Sequence, residues 1–129
     1  MVRTPLLLGS LFGFIAVAAG AFGAHALRDR LDAYSLGVWN TAAQYQMTHS
    51  MALLLIGAFA LSRPGITALR LSTWCFSLGI LIFCGSLYAL ALSGTRWLGA
   101  ITPLGGLLFL VGWAALAVFA LKLFALEER

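Results

Sequence analysis

The sequence predicts an all-α fold: an integral membrane four-helix bundle with a short interfacial helix between the first and second spans. Hydrophobic residues make up 62% of the 129 residues and charged residues only 9%, whereas about a quarter of a water-soluble domain is charged. Four apolar segments each have the roughly 20 residues that a transmembrane helix needs. They form a single transmembrane domain, 1–129, with spans at about 5–27, 42–61, 71–92 and 98–124.

The connector between the first two spans predicts the interfacial helix. Asp32 can cap a helix that starts at Ala33, because its carboxylate can accept hydrogen bonds from the first-turn amides. Tyr34 and Trp39 would lie at the level of the lipid head groups, where aromatic side chains are enriched.

The later spans are bounded by turn residues. The segment 62–65 (Ser-Arg-Pro-Gly) ends the second span, and Ser93-Gly94 ends the third. The fourth span opens with 102–106, Thr-Pro-Leu-Gly-Gly. Proline removes a backbone donor here, and the two glycines, Gly105 and Gly106, leave the backbone bare. Two readings stay open: a helix start shaped around a site, or a first-turn proline followed by helix-packing glycines.

Basic residues predict the orientation. An even number of spans puts both termini on one side, with the five basic residues Arg3, Arg63, Arg70, Lys122 and Arg129. The other side has three, Arg28, Arg30 and Arg96. The positive-inside rule then predicts a multi-pass protein of the bacterial inner (plasma) membrane with both termini in the cytoplasm. The charges flank apolar spans, so the expected partner is the lipid bilayer and not nucleic acid.

Small residues recur along the first span at steps of three or four. Gly9, Gly13, Gly20 and Gly23 form a smooth strip on one helix face. Because lipid chains are as apolar as leucine, such close contacts are needed to hold membrane helices together. The strip is expected to pack against another helix of the same chain, with a second copy as the alternative.

Polar side chains of the spans concentrate in the half of the bundle away from the termini. Tyr45 and His49 are four residues apart, and Gln46 and His49 three apart, so both pairs share a helix face. If that face meets the first span, His25 and His49 can approach each other. The predicted site residues are His25, Tyr45, Gln46, His49, Ser86, Tyr88 and Thr102.

Four interpretations of this polar cluster stay open. It is a hydrogen-bonded structural cluster, a pocket for a small molecule or lipid head group, a metal or haem site, or a path for protons or solutes. The spans offer no carboxylate or third strong ligand beside the histidines, so no metal and no cofactor are expected. Acidic residues are absent from all four spans, as are the HExxH and GxSxG motifs, so the sequence does not predict an enzyme.

Four segments in order resemble the signature segments of the domain-of-unknown-function family 423. They are 23–27, 39–49, 85–88 and 102–106. The family consists of small four-span proteins of the UPF0382 type in bacterial inner membranes, with mitochondrial relatives. The resemblance covers essentially the whole chain. It implies that the first span is retained and not cleaved as a signal peptide, and it supplies no catalytic residues.

Two functional hypotheses follow. The first is a small-molecule or lipid-binding protein whose site is the polar cluster. The second is a non-catalytic accessory or assembly subunit that joins a homo-oligomer or a larger membrane complex through its glycine strip. Under the first hypothesis, His49→Ala should abolish binding without harming the fold. Under the second, Gly13→Leu should release a partner and His49→Ala should mainly cost stability.

Overall fold

A computed structural model describes residues 3–127, which contain no β-strand. The helices are α1 (Arg3–Ala24), α2 (Ala33–Ser62), α3 (Thr67–Gly79), α4 (Gly85–Ser93) and α5 (Thr102–Glu127). A π-helical turn, Ile80–Cys84, joins α3 to α4 without a break, and a 3-10 turn, Arg96–Ala100, precedes α5. Four long helical segments therefore run through the described range. Arg129 lies outside it.

The helix expected at Ala33 begins there, but it is not a separate interfacial helix. Asp32 caps it by accepting a 2.7 Å hydrogen bond from the backbone N–H of Ser35. The same helix continues for 30 residues to Ser62, about 45 Å at 1.5 Å per residue. The prediction of a distinct short helix was wrong because no proline or turn interrupts this stretch. In lipid, each continued residue satisfies backbone groups that have no water to bind.

The capping carboxylate gives a pH-dependent prediction. The backbone hydrogen bond from Ser35 holds the pKa of Asp32 below its ordinary value. Its contribution to stability is therefore present above an ordinary pKa of about 3.9 and is lost as pH falls through the lowered value. We expect Asp32→Ala to lower the melting temperature at pH 7, and the difference from wild type to shrink below about pH 4. Asp29→Ala, in the preceding turn, is the control; an equal, pH-independent effect of both changes would contradict the cap.

Adjacent helical segments run antiparallel. Gly9 of α1 lies against Leu54 of α2, and Gly23 lies against Trp39. In the other half, Ser86 of α4 bonds Thr102, while Gly112 of α5 packs on Phe76 of α3. The result is an up-down-up-down bundle. Residues 3–5 and the turn 63–66 lie at one end, here called the termini end, and Asp32 and the turn 94–101 lie at the other, here called the Asp32 end.

Within the described residues, three segments are long and apolar enough to cross a membrane: Arg3–Ala24, Thr67–Ser93 and Arg96–Ala125. The remaining long helix, α2, is less apolar because its first half carries Gln44, Gln46 and His49. Gln46 and His49 are only 2% and 4% exposed. As α2 packs against α1, α3 and α4, it turns these polar side chains into the bundle. It therefore serves as the central helix.

Three of the predicted packing glycines lie at close helix contacts. An added Cβ at Gly9 would come 2.9 Å from the Ser50 carbonyl oxygen, and one at Gly23 would come 2.7 Å from the Trp39 ring. At Gly105 it would collide with the Phe83 backbone. These separations are shorter than real Cβ contacts allow, so the contact of α1 with α2 and the contact of the π-helical turn with α5 need glycine there.

The other three predicted glycines are not tightly packed. A Cβ at Gly13 or Gly106 would make only ordinary contacts, from 3.8 Å. A Cβ at Gly20 would meet nothing within 4 Å. The prediction that Gly20 packs against another helix of this chain was therefore wrong. The strip follows α2 at Gly9 and Gly23, whereas Gly20 is turned away from that contact.

Three close-contact glycines were missed. A Cβ at Gly57 would come 2.5 Å from Leu6, one at Gly79 2.5 Å from Phe109, and one at Gly112 2.5 Å from Phe76. Each receives a large side chain from the neighbouring helix, as a knob enters a hole. A single glycine in an apolar run carries no sequence sign of the side chain that will fill it.

Candidate functional site

The predicted polar residues do not form one cluster. His25 is exposed just beyond the end of α1, at the level where Gly23 meets Trp39. His49 lies ten residues farther along α2, roughly 15 Å along the helix axis. The two histidines therefore do not approach each other, as they would if the His49 face met the first span. The reason is that α1 meets this stretch of α2 through glycines and Gln46, while His49 faces α5.

Gln46 ties three helices together. Its side-chain amide N–H donates to the Phe12 carbonyl of α1 over 2.9 Å. Its carbonyl oxygen accepts a 2.9 Å hydrogen bond from the hydroxyl of Tyr88 on α4. Tyr88 also packs its ring on Trp39, with centroids 4.6 Å apart. Both functional groups of the Gln46 amide are therefore engaged inside the bundle.

Ser86 and Thr102 form a second, separate pair. Their hydroxyl oxygens are 2.7 Å apart and share a hydrogen bond between α4 and α5. Ser86 also donates to the Phe83 carbonyl over 3.0 Å. This pair closes the Asp32 end of the α4/α5 contact, next to Gly105. Its position suits helix association.

His49 is held as a neutral ring by two partners. A carbonyl can only accept, so Nδ1–H donates to the Tyr45 carbonyl over 2.7 Å. An indole N–H can only donate, so Nε2 accepts from Trp113 Nε1 over 3.1 Å. The ring also stacks on Phe109, with centroids 3.6 Å apart and planes 9° apart. Truncation of His49 would remove packing together with any binding role, so His49→Ala cannot separate the two hypotheses.

Every buried side-chain nitrogen or oxygen of the described residues has a hydrogen-bond partner. The deeply buried polar groups therefore need no ligand to complete them. A ligand would instead meet the side chains that stay exposed along a groove. Residues 3–127 also contain no group of three or more His, Cys, Asp or Glu side chains placed to hold a metal ion.

Such a groove opens laterally between α2 and α5, with a volume of about 1140 Å³. Here it is called the α2/α5 groove. It is lined by Gln44, Tyr45, Met47, Thr48, His49, Met51, Phe83, Pro103, Gly106, Leu107, Phe109, Leu110 and Trp113. Of the predicted site residues it contains Tyr45 and His49. Gln46, Ser86, Tyr88, Thr102 and His25 do not line it.

Aromatic rings build the floor and walls of the groove. Tyr45 stacks on Phe83 at 4.6 Å between centroids, and His49 stacks on Phe109. Tyr45 and Trp113 are each 44% exposed. Because both rings keep open surface toward the groove, a guest can pack against them.

The π-helical turn explains how Phe83 reaches the groove. Phe83 lies within Ile80–Cys84, beside the point where Gly105 touches the backbone. A π-turn inserts an extra residue and shifts the side chains that follow around the helix axis. Phe83, Phe109 and Trp113 were not among the predicted site residues. The spacing of Phe109 and Trp113 by one helical turn indicates a shared face, but it cannot say which helix that face meets.

The chain is similar to bacterial membrane proteins over almost its full length. A UPF0382 membrane protein of Staphylococcus epidermidis is 44% identical over 123 residues, which are 94% of this chain and 98% of the relative. YwdK of Bacillus subtilis, also a UPF0382 membrane protein, is 39% identical over 121 residues, 94% of this chain and 98% of the relative. A UPF0382 membrane protein of Haemophilus influenzae is 44% identical over 122 residues, 95% of this chain and 97% of the relative.

The family match covers nine of the thirteen residues that line the groove. The family described as "Protein of unknown function (DUF423)" matches residues 19–106. This range includes all of α2 and the segment from Pro103 to Gly106, and it ends before Phe109 and Trp113. No solved structure matches the chain. With the resemblance of its four segments now supported by the family match and by these relatives, the chain belongs to the DUF423 family of UPF0382 membrane proteins.

Proposed function

We propose that this protein binds an amphipathic molecule of the membrane, a lipid or another small molecule with a polar head and an apolar chain, in the α2/α5 groove. The proposal rests on the change from polar to apolar lining residues along the groove. Gln44, Tyr45 and Thr48 lie toward the Asp32 end, whereas Met51, Leu110 and Trp113 lie deeper. A polar head and an apolar chain would match these two regions in that order.

The proposed binding is non-catalytic. The residues that line the groove include no Ser, Cys, Asp, Glu or Lys. His49, the one lining residue suited to proton transfer, has both ring nitrogens engaged with Tyr45 and Trp113. Methionine and aromatic side chains favour adaptable packing against an apolar guest.

The proposed location is the bacterial inner (plasma) membrane, with both termini in the cytoplasm. Within the described residues, the termini end carries four basic side chains: Arg3, Arg63, Arg70 and Lys122. The Asp32 end carries three: Arg28, Arg30 and Arg96. By the positive-inside rule, this difference supports the proposed orientation. In this orientation the groove opens into the outer leaflet. Its guest would then come from that leaflet.

Tyr45→Ala tests the groove with less disturbance of the core than His49→Ala, because Tyr45 is 44% exposed and His49 only 4%. The change removes one wall, so we expect several-fold less of the co-extracted guest after purification in polymer-bounded bilayer discs, measured by lipid and metabolite mass spectrometry. Tyr34→Ala is the matched control, since Tyr34 is 64% exposed and lies outside the groove. Equal guest content in both variants and wild type would contradict the proposal.

A second candidate function, an accessory or assembly subunit, is favoured by one observation on α1. This helix packs chiefly against α2, and its outer face exposes Leu7, Phe14 and Val17. The close-contact glycines Gly9 and Gly23 already face α2, so a second copy or a larger complex would use that outer face instead. An assembly larger than one chain that is lost on Phe14→Ser, with the guest retained, would favour this candidate.

A further inference from the structure

A second cavity, separate from the α2/α5 groove, lies at the termini end of the bundle. It measures about 100 Å³ and lies where α1, α2 and α3 meet. Its lining comprises Thr4, Pro5, Ile56, Ala60, Arg63, Gly65, Ile66, Leu69, Arg70, Thr73 and Trp74. None of these residues was part of the predicted site.

The cavity combines two cations with an apolar floor. Arg63 and Arg70 are its only charged lining residues, and both are positive. Ile56 and Leu69, which are 2% and 3% exposed, form part of the floor. An arginine guanidinium binds phosphate oxygens through paired hydrogen bonds. The site therefore favours a phosphate group attached to an apolar body.

The local backbone agrees with this charge. Ile66 is the N-cap of α3 and its side chain makes no capping hydrogen bond. The first-turn amides of α3, which follow the lining residue Ile66, therefore have no side-chain cap. Trp74, 50% exposed, borders the cavity one turn of helix beyond Arg70, where an indole suits the head-group layer.

We infer that this cavity is a binding site for an anionic glycerophospholipid of the leaflet at the termini end. Its phosphate lies between Arg63 and Arg70. The cavity, about 100 Å³, has room for a phosphate group but is too small to hold two acyl chains as well. The chains therefore lie outside the cavity, along the exposed apolar surfaces of α1 and α3 beside Leu7 and Leu71.

The test compares lipid retention by native mass spectrometry after the protein is loaded with phosphatidylglycerol or phosphatidylcholine. We expect wild type to retain phosphatidylglycerol preferentially, and Arg63→Gln/Arg70→Gln to retain about tenfold less or lower still, since each basic residue near a membrane surface favours an anionic lipid. The control, Arg96→Gln/Lys122→Gln, also removes two charges, both outside the cavity. Equal loss in both double variants would overturn the inference, as would unchanged retention in the first.

Two further arms separate this site from other anion binding and from the groove. Glycerol 3-phosphate has the charged group without chains, so it should not displace bound phosphatidylglycerol; displacement would overturn the assignment to a lipid. Gly106→Leu should leave unchanged the part of phosphatidylglycerol retention that Arg63→Gln/Arg70→Gln removes, because Gly106 lines only the α2/α5 groove of the two cavities. A matching loss in that variant would assign the bound lipid to the groove and overturn the separate site.

Discussion

Gly105→Ala is expected to destabilise the bundle more than any other single-carbon addition at a glycine. The new Cβ would collide with the backbone of Phe83 in the π-helical turn, within 2.8 Å of its Cα. Backbone atoms held in a packed helix cannot step aside as the end of a side chain can. Overpacking of this kind costs about 1–3 kcal/mol and occasionally more, and it outweighs the roughly 1 kcal/mol that alanine gains over glycine in a helix.

Thermal unfolding followed by circular dichroism measures this effect. Gly20→Ala is the matched control, since its Cβ would meet nothing within 4 Å and it keeps the helix-propensity gain. We expect the control to melt at the wild-type temperature or slightly above it, and Gly105→Ala clearly below. Similar melting temperatures for the two variants would show that the π-helical turn and α5 do not come into close contact at Gly105.

Gly106→Leu is expected to block the α2/α5 groove while the bundle remains folded. Gly106 lines the groove, and its Cβ would make ordinary contacts of 3.8 and 3.9 Å with the Phe83 ring. The added leucine carbons then occupy space that a guest would use. We expect at least a tenfold loss of the co-extracted guest, about 1.4 kcal/mol or more of binding free energy, at an almost unchanged melting temperature.

Two neighbouring glycines thus have opposite expected roles, because successive residues on a helix point about 100° apart. Gly20→Leu is the control for added leucine bulk on a helix outside the groove; it should keep both the fold and the guest. If Gly106→Leu loses the fold together with the guest, the assignment of Gly106 to the groove and of Gly105 to the helix contact is wrong.

Much of the fold was predictable because the bilayer imposes strong local rules. The lengths of the apolar segments predicted a membrane protein with long helices, and Asp32 correctly predicted where α2 begins. Gly9, Gly23 and Gly105 were predicted as packing residues and lie at close helix contacts. These features depend on local chemistry, namely hydropathy, capping and the absence of a side chain.

The site was less predictable because it depends on how each helix is rotated. Tyr45 and Gln46 are adjacent in sequence, yet one lines the groove and the other bonds Phe12 inside the bundle. From their positions along the third span, Ser86 and Tyr88 were expected to lie at the same depth in the membrane as His49. In the structure, Ser86 instead pairs with Thr102 and Tyr88 with Gln46. The π-helical turn at Ile80–Cys84 shifts the register of the third span, and the apolar sequence there gives no sign of it.

The most direct test of the groove proposal is a native mass spectrum of the wild-type protein, gently extracted from its own membrane, beside that of Gly106→Leu. We predict an additional mass on the wild-type chain, besides any phosphatidylglycerol that both proteins retain at the arginine cavity, that is absent from the variant. Fragmentation of that complex would identify the guest as a molecule with a polar head and an apolar chain. A bare chain in both spectra, or an identical set of additional masses in both, would contradict the proposal that the α2/α5 groove is a binding site.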